Sequence, residues 1–159
     1  MRAIMKKVFF LFLIMTNIGC DQITKQGIRD TIEFGERIEL VRSNLVLTKV
    51  ENTGAAMGFG SNFPPIIKEL TLKFIPLFIL LGLTWYTLIH KNIRSLTLIA
   101  IALIVGGGLG NLIDRFRFAS VTDFLFVHIS FFKTGIFNMA DVSVTLGSVI
   151  LLITQIPKK

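Results

Sequence analysis

Four aspartates stand at or beside the ends of long apolar segments, where an ionised side chain is costly to keep. Asp21 follows the first apolar segment and Asp114 closes the third, while Asp123 lies in the loop after it and Asp141 opens the fourth. If these segments form an antiparallel bundle of membrane helices, all four acids meet at one level. The sequence therefore gathers carboxylates at one surface of a membrane.

Asp123 and Asp141 are the pair best suited to catalysis. Asp123 lies in the apolar stretch 121–125, where an unpaired carboxylate would be protonated or partnered. Two close carboxylates share a proton, so that one acts as general base on water and the other protonates a substrate carbonyl. This is the chemistry of aspartic proteases, and it predicts no metal and no cofactor.

Each acid also has a structural interpretation. Asp21 and Lys25 are four residues apart and can pair on one face of a helix. Asp114 and Arg115 can end a membrane span or form an ion pair, and Asp141 can cap the helix that follows it. For Asp123 the structural and functional interpretations are evenly balanced.

Other hydrolytic chemistries lack necessary parts. A Ser-His-Asp arrangement needs a placed histidine, but His90 lies in a loop on the opposite side and His128 lies in an aromatic stretch typical of interfacial packing. A zinc site is not supported, because HExxH is absent and Cys20, the single cysteine, is expected to be a small packed residue. A Ser-Lys dyad has candidates that lie in no distinctive motif: Ser43, Ser61 and Ser130.

The composition indicates that membrane helices position these acids. Hydrophobic residues make up 52% of the 159 residues, and charged residues make up only 17%, against about 25% in typical soluble chains. A membrane helix needs about 20 mostly apolar residues. The fold class we predict is an all-α membrane protein, a four-transmembrane-helix bundle forming one domain over 1–159, with spans at about 8–27, 71–90, 95–114 and 138–156.

The connecting segments predict the remaining structure. The segment 36–60 alternates apolar, partly β-branched residues with turn signals, which favours a small extracytoplasmic β-sheet. The aromatic segment 116–132 is expected to lie at the membrane interface. Gly106 and Gly110 form a small-xxx-small face that lets helices approach closely, and Asn111 beside them can orient a carboxylate.

Charge predicts the orientation. The net charge is +7, and the basic residues that account for it lie in three short segments free of acids. Because cytoplasmic loops are rich in Lys and Arg, both termini are expected to be cytoplasmic and the acids to lie at the outer face. Such a distribution argues against nucleic-acid binding. The basic residues in question are Arg2, Lys6, Lys7, Lys91, Arg94, Lys158 and Lys159.

Five blocks, in this order, resemble one known family, the bacterial lipoprotein signal peptidases, also called type II signal peptidases. They are DQITK at 21–25, NTGAAMG at 52–58, GGGLGNLIDR at 106–115, VTDF at 121–124 and FNMAD at 137–141. Any one block is weak, but five in order with a matching four-span layout are strong. One departure is the methionine at position 57, where a bulky aromatic is common.

The resemblance implies an aspartic endopeptidase of the bacterial inner membrane, with Asp123 and Asp141 as its catalytic dyad. It implies that diacylglyceryl-modified prolipoproteins are cut just before the lipidated cysteine, and that globomycin-type cyclic peptides inhibit the reaction. Membrane lipid is the other partner. Residues expected to support the site are Asp21, Lys25, Asn52, Gly54, Asn111, Asp114, Arg115, Asn138 and Ala140.

Two alternatives remain from the residues alone. A transporter or channel could use the aspartates as a proton or cation path, although such paths need polar residues through the bilayer. The residues Asn17-Ile18-Gly19-Cys20 also faintly resemble a lipoprotein cleavage box, in which case the chain would itself be cut before Cys20.

Overall fold

The computed structural model describes residues 2–41 and 44–155, so that Ser43, Lys158 and Lys159 lie outside the described residues. Most of this chain is helical. A π-helical stretch, Leu70–Phe74, joins the second helix to the third without a break. The helices are α1 (Arg2–Thr31), α2 (Pro65–Glu69), α3 (Ile75–Ile89), α4 (Ser95–Phe118) and α5 (Met139–Gln155).

Helix α4 is the centre of the bundle and packs against α1, α3 and α5. Its glycines allow this close packing, as the spacing predicts. A Cβ at Gly106 would lie 2.7 Å from the Cβ of Asn17, and one at Gly110 would lie 2.5 Å from Oδ2 of Asp21. Small residues thus bring α1 against α4 at two successive turns.

The first helix is longer than the expected span at about 8–27, because it runs unbroken from Arg2 to Thr31. Phe10 and Ile14 are buried in the core of the bundle, together with Val105 of α4. The residues before Cys20 therefore belong to the packed bundle. Cys20 itself is exposed, contrary to the expectation that it is packed.

An antiparallel sheet lies at the end of the bundle where α1 and α4 finish and α5 begins; we call this the sheet end. Its strand order is β1-β2-β3-β4. Residues 36–60 supply only two of the strands, and residues 56–58 form a 3-10 turn instead. The strands are β1 (Arg37–Val41), β2 (Leu45–Asn52), β3 (Val121–Ile129) and β4 (Phe132–Lys133).

Strand β3 corrects the interpretation of Asp123 as a loop residue. Residues 121–129 pair along β2, with Asp123 opposite Val50. Phe124 of β3 packs against Ile28 and Ile32 at the end of α1. The aromatic and β-branched residues of this segment suit a strand once a partner strand is available, and that partner, β2, precedes α2 in the chain.

The helices expose large apolar side chains, including Phe12, Phe78, Trp85 and Leu152, each more than three-fifths exposed. Fully buried residues, by contrast, include Lys25 and Asp114. Among the described residues, Ser95–Phe118 is the one helix long and apolar enough to cross a membrane by length and composition, and Met139–Gln155 is a shorter apolar helix.

Candidate active site

Asp123 lies near the start of strand β3 and is buried, with 4% of its surface exposed. Its two carboxylate oxygens accept hydrogen bonds from two different amides. Asn52 Nδ2, at the end of β2, donates to Oδ2 over 3.0 Å, and Asn138 Nδ2 donates to Oδ1 over 2.6 Å. The side chain is therefore held from both sides while the acid remains at the edge of the bundle.

Asp141 lies in the first turn of α5, where it completes a reciprocal cap. The Asn138 backbone N–H donates to Asp141 Oδ2 over 3.1 Å, and the Asp141 N–H donates to Asn138 Oδ1 over 3.0 Å. This is the capping-box arrangement, with asparagine at the N-cap and an acid at the third helical position. The structural interpretation of Asp141 is thus correct, but its other oxygen, Oδ1, accepts from Asn111 Nδ2 over 2.9 Å.

Asn138 joins the two aspartates, since it contacts Asp123 through its amide nitrogen and Asp141 through its backbone and its amide oxygen. Its surface is fully buried. The same Nδ2 also donates to Asn111 Oδ1 over 3.2 Å. One buried asparagine therefore sets the position of both acids relative to each other.

A buried ammonium group supports this arrangement from α1. Lys25 Nζ contacts Asp21 Oδ2 at 2.8 Å, Asp114 Oδ2 at 2.9 Å and Asn111 Oδ1 at 2.8 Å. A lysine has three N–H donors, and here each has an acceptor. The predicted pairing of Asp21 with Lys25 is present, whereas Asp114 pairs with Lys25 and not with the adjacent Arg115.

Asp21 also reaches across the bundle to α5. Its Oδ1 accepts from the backbone N–H of Ala140 over 3.0 Å. The first N–H groups of a helix have no partner within that helix, so this carboxylate satisfies one of them. Asp21 thereby fixes the first turn of α5, which carries Asp141.

Arg115 holds the loop that follows β2. Its Nη2 donates to the carbonyl oxygen of Gly54 over 3.0 Å, and the Gly54 N–H donates to Asn52 Oδ1 over 2.9 Å. The loop is very close at this point, because a Cβ on Gly54 would lie 2.6 Å from the carbonyl carbon of Gly58 and 2.7 Å from the carbonyl oxygen of Phe59. Only glycine fits there without moving backbone.

The substitution Gly54→Ala is expected to reduce activity by about 10–10²-fold, because the displaced loop carries Asn52 away from Asp123. The measurement is the initial rate of precursor cleavage by the purified variant in detergent. Gly82→Ala is the matched control, since a Cβ on this helical glycine meets nothing within 4 Å. Equal rates for Gly54→Ala and the unmodified enzyme would contradict the role assigned to the loop.

The electrostatics of the site act mainly on Asp123. Burial, and to a smaller extent the negative charge of Asp141, raise the pKa of its carboxyl from 3.8 to about 6. The amides of Asn52 and Asn138 and the charge of Lys25 oppose this shift, because they stabilise the carboxylate. Asp123 is therefore neutral in mildly acidic solution and ionises near pH 6.

Two adjoining cavities open onto the aspartates. One has a volume of about 320 Å³ and is lined by Asp123, Asn52 and Glu51, among others. The second, of about 280 Å³, is lined by Asp141 and mostly apolar residues of α5 and the preceding segment. Met57 and Ile136 line both. An extended peptide lying past these two residues would meet both acids.

Every residue of the predicted site set makes a polar contact with another member of the set, so the structure brings the set together. Sequence reasoning missed three polar residues that contact it, Gln22, Arg29 and Thr122, and also Glu51, which accepts a hydrogen bond from Thr122. Arg29 follows Lys25 at the helical spacing of four, which was a usable signal.

Within the described ranges, no three His, Cys, Asp or Glu side chains are placed to hold a metal ion.

A bundle of apolar helices with acids and amides joined by hydrogen bonds at one end is the architecture of a membrane enzyme, and solved structures support this class. A structure described as a bacterial membrane enzyme at 2.3 Å resolution matches with a TM-score of 0.82 and 28% identity, over 95% of this chain and 93% of the other. A second, at 1.9 Å resolution, matches with a TM-score of 0.81 and 27% identity, over 95% and 94% of the two chains.

The chain belongs to the signal peptidase II family, which matches residues 13–157. The lipoprotein signal peptidase of Syntrophus aciditrophicus is 34% identical, over 98% of this chain and 98% of that one. Those of Chlorobium phaeovibrioides and Streptococcus pneumoniae are 37% and 31% identical, over 91% and 97% of this chain and 88% and 96% of their own. The family assignment from the five sequence blocks is thus confirmed.

Proposed function

We propose that this protein is an aspartic endopeptidase that removes the signal peptide from diacylglyceryl-modified prolipoproteins by cutting just before the lipidated cysteine. Asp123 and Asp141 are its catalytic dyad. The observation that carries the proposal is that one buried residue, Asn138, contacts both acids while each acid lines one of two adjoining cavities. The relatives named above are lipoprotein signal peptidases, which supports the substrate class.

In the proposed reaction, water bound between the acids attacks the scissile carbonyl. Asp141 takes a proton from this water, and Asp123, neutral at the start because of its raised pKa, gives its proton to the carbonyl oxygen. The tetrahedral intermediate then collapses, the C–N bond breaks, and the proton held by Asp141 passes to the leaving amine. The remaining hydroxyl proton returns to Asp123, which restores the starting state.

The proposed topology is four membrane spans, with both termini in the cytoplasm and the sheet end at the outer face of the inner membrane. Apolar side chains are exposed around the helices and charged side chains are buried between them, as suits a protein in a lipid bilayer. Lys6 Nζ donates to the carbonyl oxygen of Ile93 over 3.2 Å, so two of the basic segments lie at the same end. The lipid tails of the substrate would then lie in the bilayer beside the helices.

A purified, diacylated prolipoprotein provides the direct test. The enzyme in detergent or liposomes is expected to release a signal peptide, with the lipidated cysteine as the new N-terminus by mass spectrometry and with a chelator having no effect. A precursor without the diacylglyceryl group should be a poor substrate. Globomycin is expected to block the cleavage by occupying the cavities at Asp123 and Asp141. Cleavage at another bond would contradict the proposal.

The pH dependence of this reaction follows from Asp123. Asp141, Lys25 and Arg115 face it from α5, α1 and α4. Its raised pKa means that the proton needed for the substrate carbonyl is present below about pH 6 and is lost above it. We expect kcat/KM to fall about tenfold per pH unit above this midpoint, as for loss of one essential proton.

Initial rates between pH 5 and 8 measure this decline. Asn52→Ala removes a donor that stabilises the Asp123 carboxylate, so its midpoint should lie higher than that of the unmodified enzyme. A profile that rises throughout this range would show that Asp123 acts in its ionised form, contrary to the assigned role.

A further inference from the structure

A second chain of polar contacts runs behind the site, on the α1 side of the sheet, and begins at Arg29. Arg29 Nε donates to Thr122 Oγ1 over 2.8 Å, and its Nη2 lies 3.0 Å from Asp114 Oδ1. The guanidinium carbon lies 4.2 Å from the centre of the Phe118 ring. Three neighbours therefore fix the plane of this group, which is only 13% exposed.

Thr122 connects Arg29 to Glu51 of strand β2. Its fully buried hydroxyl accepts from Arg29 and donates to Glu51 Oε1 over 2.7 Å. The other carboxylate oxygen of Glu51 accepts from the hydroxyl of Ser120. The Thr122 hydroxyl uses its donor and an acceptor site at once, so a side chain without oxygen would leave both Arg29 Nε and Glu51 without this partner.

Two residues of this series of contacts are direct neighbours, along the sequence, of residues at the site. Glu51 precedes Asn52, Thr122 precedes Asp123, and Glu51 lies opposite Thr122 in the sheet. Successive side chains of a strand point to opposite faces. A bond between Glu51 and Thr122 on one face thus sets the backbone separation that lets Asn52 Nδ2 reach Asp123 Oδ2 over 3.0 Å on the other.

We propose that the chain Arg29–Thr122–Glu51 is a positioning device that holds Asp123 against Asn52. Glu51 also lines the cavity at Asp123, but the role proposed for all three acts through the two strands that carry the acid and its donor. The inference rests on the proposed function, since it matters for catalysis only if Asp123 is catalytic. It assigns a role in the reaction to three residues that are not among the site residues expected from the sequence.

The hydroxyl of Thr122 can be tested with two variants. Thr122→Val removes the oxygen at nearly constant shape, and Thr122→Ser keeps it. We expect Thr122→Val to lower kcat by about 10–10²-fold with KM within about twofold, because binding remains and alignment is lost. Its pH midpoint should rise, since Asp123 loses the contact with Asn52. Thr122→Ser should stay near the unmodified enzyme in both measurements.

Thr87→Val is the matched control, because Thr87 is buried in α3 and its hydroxyl donates to the Leu83 carbonyl oxygen over 2.8 Å. It should change neither kcat nor the pH midpoint. If Thr122→Val does not fold, Glu51→Ala and Glu51→Gln decide the same question. The glutamine retains an acceptor for Thr122, so the alanine variant should show the larger loss of kcat and the larger shift of the midpoint, although both variants change the Asp123 cavity that Glu51 lines.

The outcomes separate the inference from the proposed function. If Thr122→Val matches the unmodified enzyme while Asp123→Asn is inactive, the positioning role is wrong and the dyad stands. Equal losses in Thr122→Val and Thr122→Ser, or a lower kcat with an unmoved midpoint, also overturn it. If Asp123→Asn still cleaves the precursor, the proposed function itself fails.

Discussion

Exchanging Asp123 or Asp141 for asparagine is expected to lower the rate of prolipoprotein cleavage by about 10²–10⁴-fold, the range for loss of a general acid or base. Asparagine is close to aspartate in size but cannot carry a transferable proton at neutral pH. Either exchange removes one of the two proton transfers that the reaction needs. The double variant should be little worse than either single variant, because the two acids act as one unit.

Single-turnover cleavage of a diacylated precursor, with mass spectrometry of the product, measures this loss. Circular dichroism and size-exclusion chromatography in detergent show whether the variants fold. Asp30→Asn is the control, since Asp30 is exposed on α1 and its carboxylate accepts only from Gln26 among the described contacts. A dyad variant that is folded and cleaves at an undiminished rate would refute the assignment of that acid.

Lys25→Met is expected to destabilise the protein by about 3–5 kcal/mol, the cost of removing one partner from a buried ion pair. Lys25 and its two carboxylate partners, Asp21 and Asp114, are each at most 1% exposed. The substitution keeps the length of the side chain but leaves two buried acids without their shared cation. Arg29 still contacts Asp114, so Asp21 is the acid whose charge is left without a cationic partner among the described contacts.

The free energy of unfolding in mixed micelles, with and without the substitution, gives this number. Lys73→Met is the matched control, because Lys73 pairs at 2.7 Å with Glu69, whose side chain is 50% exposed, and a pair with one partner in solvent contributes about 0–1 kcal/mol. Restoring stability by adding Asp21→Asn to Lys25→Met would identify the unpaired acid as the cause. Equal effects of Lys25→Met and Lys73→Met would show that burial does not govern the energetics of this cluster.

Features of the site that depend on residues close together in the chain could be predicted from the sequence. The pairing of Asp21 with Lys25 follows from a separation of four residues on a helix, and the close approach at Gly106 and Gly110 follows from their spacing in an apolar segment. The alternation of apolar segments also places the acids at one end of the bundle. Resemblance to the family added Asn52, whose contact with Asp123 no local pattern indicates.

The strand β3, and the contacts among Arg29, Thr122 and Glu51, could not be predicted from local sequence patterns. An aromatic, β-branched segment after a membrane span can be an irregular loop or a strand, and the choice depends on whether β2 lies beside it. Arg29 meets Thr122 across 93 positions, and Glu51 meets Thr122 across 71. Such pairs arise from the tertiary fold, because their spacing along the chain carries no periodic signal.

The sequence by itself determined the apolar helices, the gathering of carboxylates at one end of them and the family. Periodicity, charge and hydropathy are local properties, and the order of five short blocks can be compared along the chain without knowing which segments are in contact. The tertiary structure decided that Asn138 joins the two acids, that β3 carries Asp123, and that Arg29, Thr122 and Glu51 stand behind it. These arrangements exist because buried polar groups must find partners, and which partner each finds depends on segments that folding alone brings together.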